Sequence, residues 1–169
     1  NDGYSDPTLT DCTFANNSAE YGGGFYNTTG SAPILTKCTF SGNSATQGGG
    51  AIASLNNYLF GPVLVDCLLS GNTAPLGGAI YNDDTNMMLT DCTFSRNSAG
   101  YEGGGFYNLT GKPVLNRCVF TENRSAQDGG GMQNDAGSPT LTGCIFANNF
   151  AGDEGGGICN EDNKAPPLN

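Results

Sequence analysis

The chain has 169 residues, of which 6 are Lys or Arg and 16 are Asp or Glu, for a net charge of −10. This acidic balance argues against a nucleic-acid partner, because phosphate groups are bound by clustered Lys and Arg. No apolar run approaches the roughly 20 residues of a membrane-spanning helix, so we expect no transmembrane segment. His is absent, and no Cys-His set indicates zinc.

One stretch of about 26 residues recurs six times and accounts for nearly the whole chain. Its cysteines are spaced by 26, 29, 25, 26 and 26 residues, a period that indicates a solenoid. Each copy carries Gly runs with Asn, Ser and Thr, which disfavour helices, and its short runs alternate apolar and polar residues as strands do. About three short strands fit each copy. The sequence therefore predicts an all-β, right-handed parallel β-helix: a single domain over 1–169, with six coils and the start of a seventh.

Aligned copies place like residues in columns that a β-helix turns into ladders with rungs about 4.8 Å apart. The apolar Leu column comprises Leu9, Leu35, Leu64, Leu89, Leu115, Leu141 and Leu168. The aromatic column comprises Phe14, Phe40, Phe94, Phe120 and Phe146, with Leu69 in the third copy. The Asn column comprises Asn17, Asn43, Asn72, Asn97, Asn123 and Asn149. We expect the large apolar columns inside. We expect the Asn column at turns, where stacked amides bond along the ladder and Asn tolerates a left-handed backbone.

Six of the seven cysteines form a further column: Cys12, Cys38, Cys67, Cys92, Cys118 and Cys144. Stacked disulfides are one interpretation, but parallel Cβ vectors on adjacent rungs place the sulfurs poorly for bonding. We favour a buried ladder of free thiols that act as small apolar groups. Cys159 lies outside this column, and we expect it to be more exposed.

The motifs Phe-x-x-Asn, as in Phe14 to Asn17, and Gly-Gly-Ala-Ile, as in Gly49 to Ile52 and Gly77 to Ile80, recur in phase along the chain. They resemble the polymorphic outer-membrane protein repeats of chlamydial type, which are also found in large bacterial surface proteins. The resemblance covers almost the whole chain. It implies a right-handed β-helix, an extracellular or cell-surface location, and a role in adhesion or surface structure.

Three outer features are candidates for binding. Tyr26, Tyr81 and Tyr107 form an outward aromatic column that could bind sugars or partner chains, or could simply pack across rungs. Outward Thr residues next to the Cys column could form an ice-binding face, although β-propensity alone explains them. The longest departure from the repeat, at 54–61, could be a binding loop or a loop folded back on its own coil.

The acidic residues suggest two further stacks. Glu102, Asp128 and Glu154 precede Gly runs, and Asp135 and Glu161 follow the turn Asn. Oxygen-rich stacks suit Ca²⁺, while a screened, solvent-facing edge is the alternative. A polysaccharide-degrading enzyme would need clustered acids with a basic residue or a metal, and the six basic residues do not converge on one acid cluster. We therefore expect no enzyme, no catalytic residue, no metal and no cofactor, with Ca²⁺ as the alternative.

The outward column Asp11, Lys37, Asp66, Asp91, Arg117 and Gly143 places opposite charges on neighbouring rungs, which would pin the register weakly. Solenoids normally carry polar caps, and the sequence shows none at either end. We therefore expect either end-to-end self-association into a homopolymer or continuation in a longer chain. The predicted function is that of a non-enzymatic extracellular structural protein, either a self-stacking fibre or the shaft of a bacterial surface adhesin. The alternative is a secreted β-helix whose surface binds carbohydrate, a cation or ice.

Overall fold

A computed structural model describes residues 5–57 and 60–161 of the chain. Its 23 strands stack into four parallel sheets that wind as a solenoid of about six coils, with successive coils in register. The prediction of a right-handed parallel β-helix is confirmed. Leu168 and the remaining residues after Glu161 lie outside the described residues.

Each sheet takes one strand from successive coils. Sheet A contains β1 (Thr8–Thr10), β5 (Ile34–Thr36), β9 (Val63–Val65), β13 (Met88–Thr90), β17 (Val114–Asn116) and β21 (Thr140–Thr142). Sheet B contains β2 (Thr13–Ala15), β6 (Thr39–Ser41), β10 (Leu68–Ser70), β14 (Thr93–Ser95), β18 (Val119–Thr121) and β22 (Ile145–Ala147). Sheet C contains β3 (Ser18–Tyr21), β7 (Ser44–Gly48), β11 (Thr73–Leu76), β15 (Ser98–Glu102) and β19 (Arg124–Ser125). Sheet D contains β4 (Phe25–Thr28), β8 (Ile52–Asn57), β12 (Ile80–Thr85), β16 (Phe106–Asn108), β20 (Met132–Asn134) and β23 (Ile158–Asn160).

The first five coils have four strands each, rather than the predicted three, because left-handed corner residues divide them. The corner between sheets A and B is formed by Asp11, Lys37, Asp66, Asp91, Arg117 and Gly143, with φ between 51° and 63°. A Cβ built on Gly143 would come no closer than 3.4 Å to any other side chain or backbone, so this corner accepts many residue types. Their variety hides the corner in the sequence, because the alternation of apolar and polar residues continues across it.

The corner between sheets C and D is glycine in every coil. Its residues are Gly22, Gly49, Gly77, Gly103, Gly129 and Gly155. A Cβ on Gly77, whose φ is +61°, would lie 2.0 Å from the carbonyl oxygen of Ile80. The backbone here folds so tightly onto the following strand that only a residue without a side chain fits.

The inside of the solenoid is the main hydrophobic core. The Phe rings of successive coils stack with centroids 4.7 Å apart for Phe14 and Phe40, 4.4 Å for Phe94 and Phe120, and 4.6 Å for Phe120 and Phe146. Leu69 pairs with Phe40 on one side and Phe94 on the other and keeps the column apolar where the aromatic stack is interrupted. Burial of such side chains stabilises the fold by about 1.5–3 kcal/mol each.

A ladder of asparagine amides runs along the corner between sheets B and C. Nδ2 of Asn72 donates to Oδ1 of Asn97 at 2.9 Å, and Nδ2 of Asn97 donates to Oδ1 of Asn123 at 2.9 Å. The left-handed residue is the one before the ladder, such as Asn16 or Arg96, and not the ladder Asn itself. Our explanation of these Asn residues by backbone conformation was therefore wrong. They are placed here because a buried amide can bond to the rungs above and below.

The seven cysteines are free thiols. Within the column, the Sγ of Cys67 donates to the carbonyl oxygens of Leu35 and Val65 at 3.5 and 3.4 Å. Burial raises the pKa of Cys38 and of Cys144. Sulfur hydrogen bonds from Cys118 and Cys67, together with burial, raise the pKa of Cys92. The buried thiols of the column pack inside the main hydrophobic core.

Candidate functional site: an acidic cluster at one corner of the solenoid

The tight glycine corner brings two outer columns together on the outside of the solenoid. A Cβ on Gly103 would lie 2.8 Å from the Cβ of Tyr107, and one on Gly129 would lie 2.7 Å from the Cα of Gln133. The residue that precedes each corner glycine therefore flanks the outer face of sheet D. We call the enclosed region the corner cluster.

The corner cluster has a floor and two flanks. The floor is the outer column of sheet D, which runs through Tyr26, Ala53, Tyr81, Tyr107, Gln133 and Cys159. The first flank precedes the corner glycines and runs through Tyr21, Gly48, Leu76, Glu102, Asp128 and Glu154. The second flank follows the turn Asn and runs through Thr28, Leu55, Asp83, Leu109, Asp135 and Glu161.

One end of the corner cluster is a second hydrophobic core. The rings of Tyr81 and Tyr107 stack with centroids 5.5 Å apart, and Tyr21, Leu76 and Leu109 pack around them. The exposed fraction is 39% for Tyr26 but only 9% for Tyr81 and 0% for Tyr107. The outward column predicted from the sequence therefore does not present a tyrosine stripe to solvent, because the glycine corner folds the flank over it.

Burial controls the ionisation of these tyrosines. It raises the pKa of Tyr81 far above the usual range, with a smaller contribution from the charge of Asp83. Burial also raises the pKa of Tyr107, and the hydrogen bond to Asp135 adds to the shift. The pKa of Asp83 on the flank is likewise raised, chiefly by burial. Both phenols are therefore neutral at ordinary pH.

The other end of the corner cluster is acidic and largely buried. Glu102, Asp128 and Asp135 are only 1–3% exposed. The Tyr107 hydroxyl donates to Oδ2 of Asp135 at 2.5 Å, and Nε2 of Gln133 donates to its Oδ1 at 2.8 Å. The charge of Glu102 also acts on Tyr107. The two acidic stacks that the sequence suggested separately thus form one cluster, which their spacing alone could not reveal.

The last described coil repeats the same arrangement with different residues. Ligand atoms of Glu154, Cys159 and Glu161 all lie within 4.8 Å of one another, so the two flanks approach closely across the floor. Cys159 is 6% exposed, which corrects the expectation of an exposed thiol. Sequence reasoning also missed Gln133, whose only signal is an amide side chain in a column that contains three tyrosines.

The remaining predicted features lie elsewhere on the surface. Within residues 5–57 and 60–161, Arg117 pairs with Asp91 at 2.7 Å, whereas Lys37 pairs with neither Asp11 nor Asp66. Strand β8 extends to Asn57 and so includes the start of the predicted loop at 54–61. Residues 58 and 59 of that loop lie outside the described residues. Its Phe60 is 60% exposed.

The Thr face of sheet B is not a uniform array. Its outer column includes Leu68 at 39% exposure and Ile145 at 56% exposure among the threonines. In the part of the chain that the structure describes, no helix has the length and hydropathy needed to cross a membrane.

The carboxylates of the corner cluster differ in their access to solvent. Glu102, Asp128 and Asp135 are 1–3% exposed, whereas Glu154 is exposed and Glu161 is half-buried. Oxygen ligands from carboxylates and an amide are typical of Ca²⁺ sites. The corner cluster therefore offers oxygen ligands of the kind that Ca²⁺ binds.

The in-register coils, the parallel sheets and the left-handed corners define a right-handed β-solenoid. The chain belongs to the family described as the right-handed beta helix region, which matches residues 1–168. No curated protein and no solved structure matches the chain. Family membership supports the β-helix repeat. The finer resemblance to chlamydial-type surface repeats stays a prediction.

Proposed function

We propose that this chain is a non-enzymatic structural rod, the shaft of an extracellular or cell-surface protein of the adhesin type. The observation that carries the proposal is the unbroken stacking of side chains from coil to coil. The asparagine ladder from Asn17 to Asn149 crosses all six coils, and each rung hydrogen-bonds to the next. Such a ladder gives length and stiffness without requiring a binding cleft.

The repeat motifs support the proposed surface location. The in-phase Phe-x-x-Asn and Gly-Gly-Ala-Ile copies resemble repeats of large bacterial surface proteins. A net charge of −10 favours solubility and opposes non-specific association between copies of the chain. The free thiols do not indicate whether the compartment is oxidising or reducing, because buried thiols need no oxidising environment.

The family includes polysaccharide-degrading enzymes, so an enzyme is the first competing function. The burial of Glu102, Asp128 and Asp135 argues against an enzyme, because a polymer cannot reach these three carboxylates. The test is incubation of the purified chain with acidic polysaccharides, followed by measurement of new reducing or unsaturated ends. We expect no product. Activity that disappears in Asp135→Ala or Glu161→Ala would establish the enzyme and contradict the proposal.

Electron microscopy of the chain in dilute buffer tests the rod itself. Six rungs at about 4.8 Å make a particle about 29 Å long from this segment. We expect isolated compact particles of about this length if the segment is a shaft. Long uniform filaments with that repeat would instead assign the chain to a self-stacking fibre and contradict the shaft.

A further inference from the structure

The acidic end of the corner cluster contains a buried amide oxygen that no hydrogen bond satisfies. Gln133 has no exposed surface, and its Oε1 has no hydrogen-bond partner within residues 5–57 and 60–161. A buried acceptor left without a donor destabilises a protein by about 1–3 kcal/mol. The position therefore needs an explanation beyond packing.

The orientation of this amide is fixed by its neighbour. Nε2 of Gln133 donates to Oδ1 of Asp135 at 2.8 Å, and Tyr107 holds the other oxygen of that carboxylate. A flipped amide would place Oε1 against the negative charge of Asp135. Asp135 is therefore a positioning residue, which turns the oxygen edge of the Gln133 amide away from itself and into the cluster.

Carboxylates lie on both flanks beside this amide, with Asp128 on the same rung and Glu154 and Glu161 on the next rung, where Cys159 is in register with Gln133. The backbone at Gly129 lies against the Cα of Gln133, which places Asp128 on its flank. Oδ1 of Asp128 accepts the N–H of Glu154 at 2.8 Å, and this bond ties the carboxylate to the next rung. On that rung the ligand atoms of Glu154 and Glu161 lie within 4.8 Å of each other, about twice the Ca²⁺–oxygen distance of roughly 2.4 Å. One ion can therefore contact both flanks.

We propose that Gln133 Oε1 and the carboxylates of Glu154 and Glu161 form a Ca²⁺ site that joins the last two described coils. The ion would give the amide oxygen its missing partner. It would also offset the repulsion between stacked like charges, which otherwise destabilises neighbouring rungs. Hard oxygen ligands favour Ca²⁺, whereas the Cys159 thiol at the floor is the one soft group within reach.

The test is calorimetric titration of the whole chain with CaCl2, together with thermal unfolding at matched ionic strength set with NaCl. We expect saturable binding of one Ca²⁺ and a rise in Tm that grows with Ca²⁺ concentration. Glu154→Gln should weaken the binding at least about tenfold, since it removes one charged oxygen ligand. Glu154 is exposed, so this variant keeps its fold. The matched control is Glu20→Gln, which removes the same charge from an exposed site on the first coil and should leave binding unchanged.

Gln133→Met removes the amide oxygen at similar volume and should abolish the Ca²⁺-dependent rise in Tm. Three results would overturn the proposal. The first is no Ca²⁺ binding by the unaltered chain, which would mean that water satisfies the amide. The second is equal loss in Glu20→Gln and Glu154→Gln, which would mean general charge screening. The third is binding of Cd²⁺ but not Ca²⁺, with loss in Cys159→Ser, which would assign a thiolate site.

Discussion

The hydroxyl of Tyr107 donates a 2.5 Å hydrogen bond to Oδ2 of Asp135, a residue 28 positions further along the chain on the next coil. Both side chains are buried outside the solenoid, where the corner glycines fold one flank over sheet D. This contact joins the apolar end of the corner cluster to its acidic end.

Tyr107→Phe should destabilise the protein by about 1–3 kcal/mol, because it leaves a buried carboxylate oxygen short of one donor. Denaturant unfolding measures the change as a lower midpoint at an unchanged slope. Tyr26→Phe is the control, since Tyr26 occupies the same column at 39% exposure and should change stability by no more than about 0.5 kcal/mol. Equal losses in the two variants would contradict the role of the hydrogen bond.

Alkaline pH should unfold the protein through its buried tyrosines. Burial raises the pKa of Tyr81 and of Tyr107 in the folded state, so the unfolded chain releases these protons first as the pH rises. Their stabilising contribution is complete below the ordinary tyrosine pKa of about 10 and is lost above it. Tyrosinate absorbance followed together with circular dichroism should show two tyrosines that ionise only as the fold is lost. Tyr107→Phe should reduce that late step to one, and ionisation of all seven in folded protein would refute the prediction.

Asn97→Ala should destabilise the protein by about 2–4 kcal/mol, because several buried polar groups lose their partner at once. Asn97 accepts from the backbone N and the Nδ2 of Asn72 at 3.0 and 2.9 Å, and it donates to the carbonyl oxygen of Leu69 at 3.0 Å. Asn17→Ala at the exposed first rung of the same ladder is the control and should cost less than about 1 kcal/mol. Chemical denaturation measures the free energy of unfolding of both variants. Similar losses in the two would mean that the ladder does not stabilise the core.

Gly78→Ala should destabilise the protein by about 3 kcal/mol or prevent folding, since overpacked backbone cannot relax easily. A Cβ at Gly78 would lie 2.2 Å from the carbonyl oxygen of Gly104 on the next coil. Gly100→Ala is the control, because its Cβ would meet nothing nearer than the Cα of Pro75 at 3.6 Å. There we expect no loss, or a gain of about 0.4–1 kcal/mol from a stiffer unfolded chain. Thermal unfolding of both variants measures the difference, and two equally stable variants would contradict the close stacking of coils.

Thiol labelling of native protein should separate the cysteine column by position. Cys38, Cys67, Cys92 and Cys118 are 0–2% exposed and should react only after unfolding, whereas the half-buried Cys12 and Cys144 should react first. Burial keeps the labelling reagent away from these four sulfurs, because a thiol reacts only where it is accessible. Timed labelling with peptide mapping measures the order, and uniform reaction of all six would show that the coils open together.

The sequence by itself determined the repeat, the parallel β-helix and the membership of each column. A period of about 26 residues assigns Leu35, Cys38 and Phe40 to ladders, because residues one period apart must stack in register. The same argument predicted inward apolar columns, which form the main core. Column membership needs only the order of residues along the chain.

Only the tertiary structure decided how the columns face one another. The angle between sheets is set by backbone dihedrals at corners such as Arg96 and Gly103, and a sequence period contains no such angle. That angle buries Tyr107, gathers Glu102 and Asp135 into one cluster, and divides the first five coils into four strands each instead of three. The corner cluster was hidden from the sequence because it combines three separate columns, and only the fold across glycine brings those columns into contact.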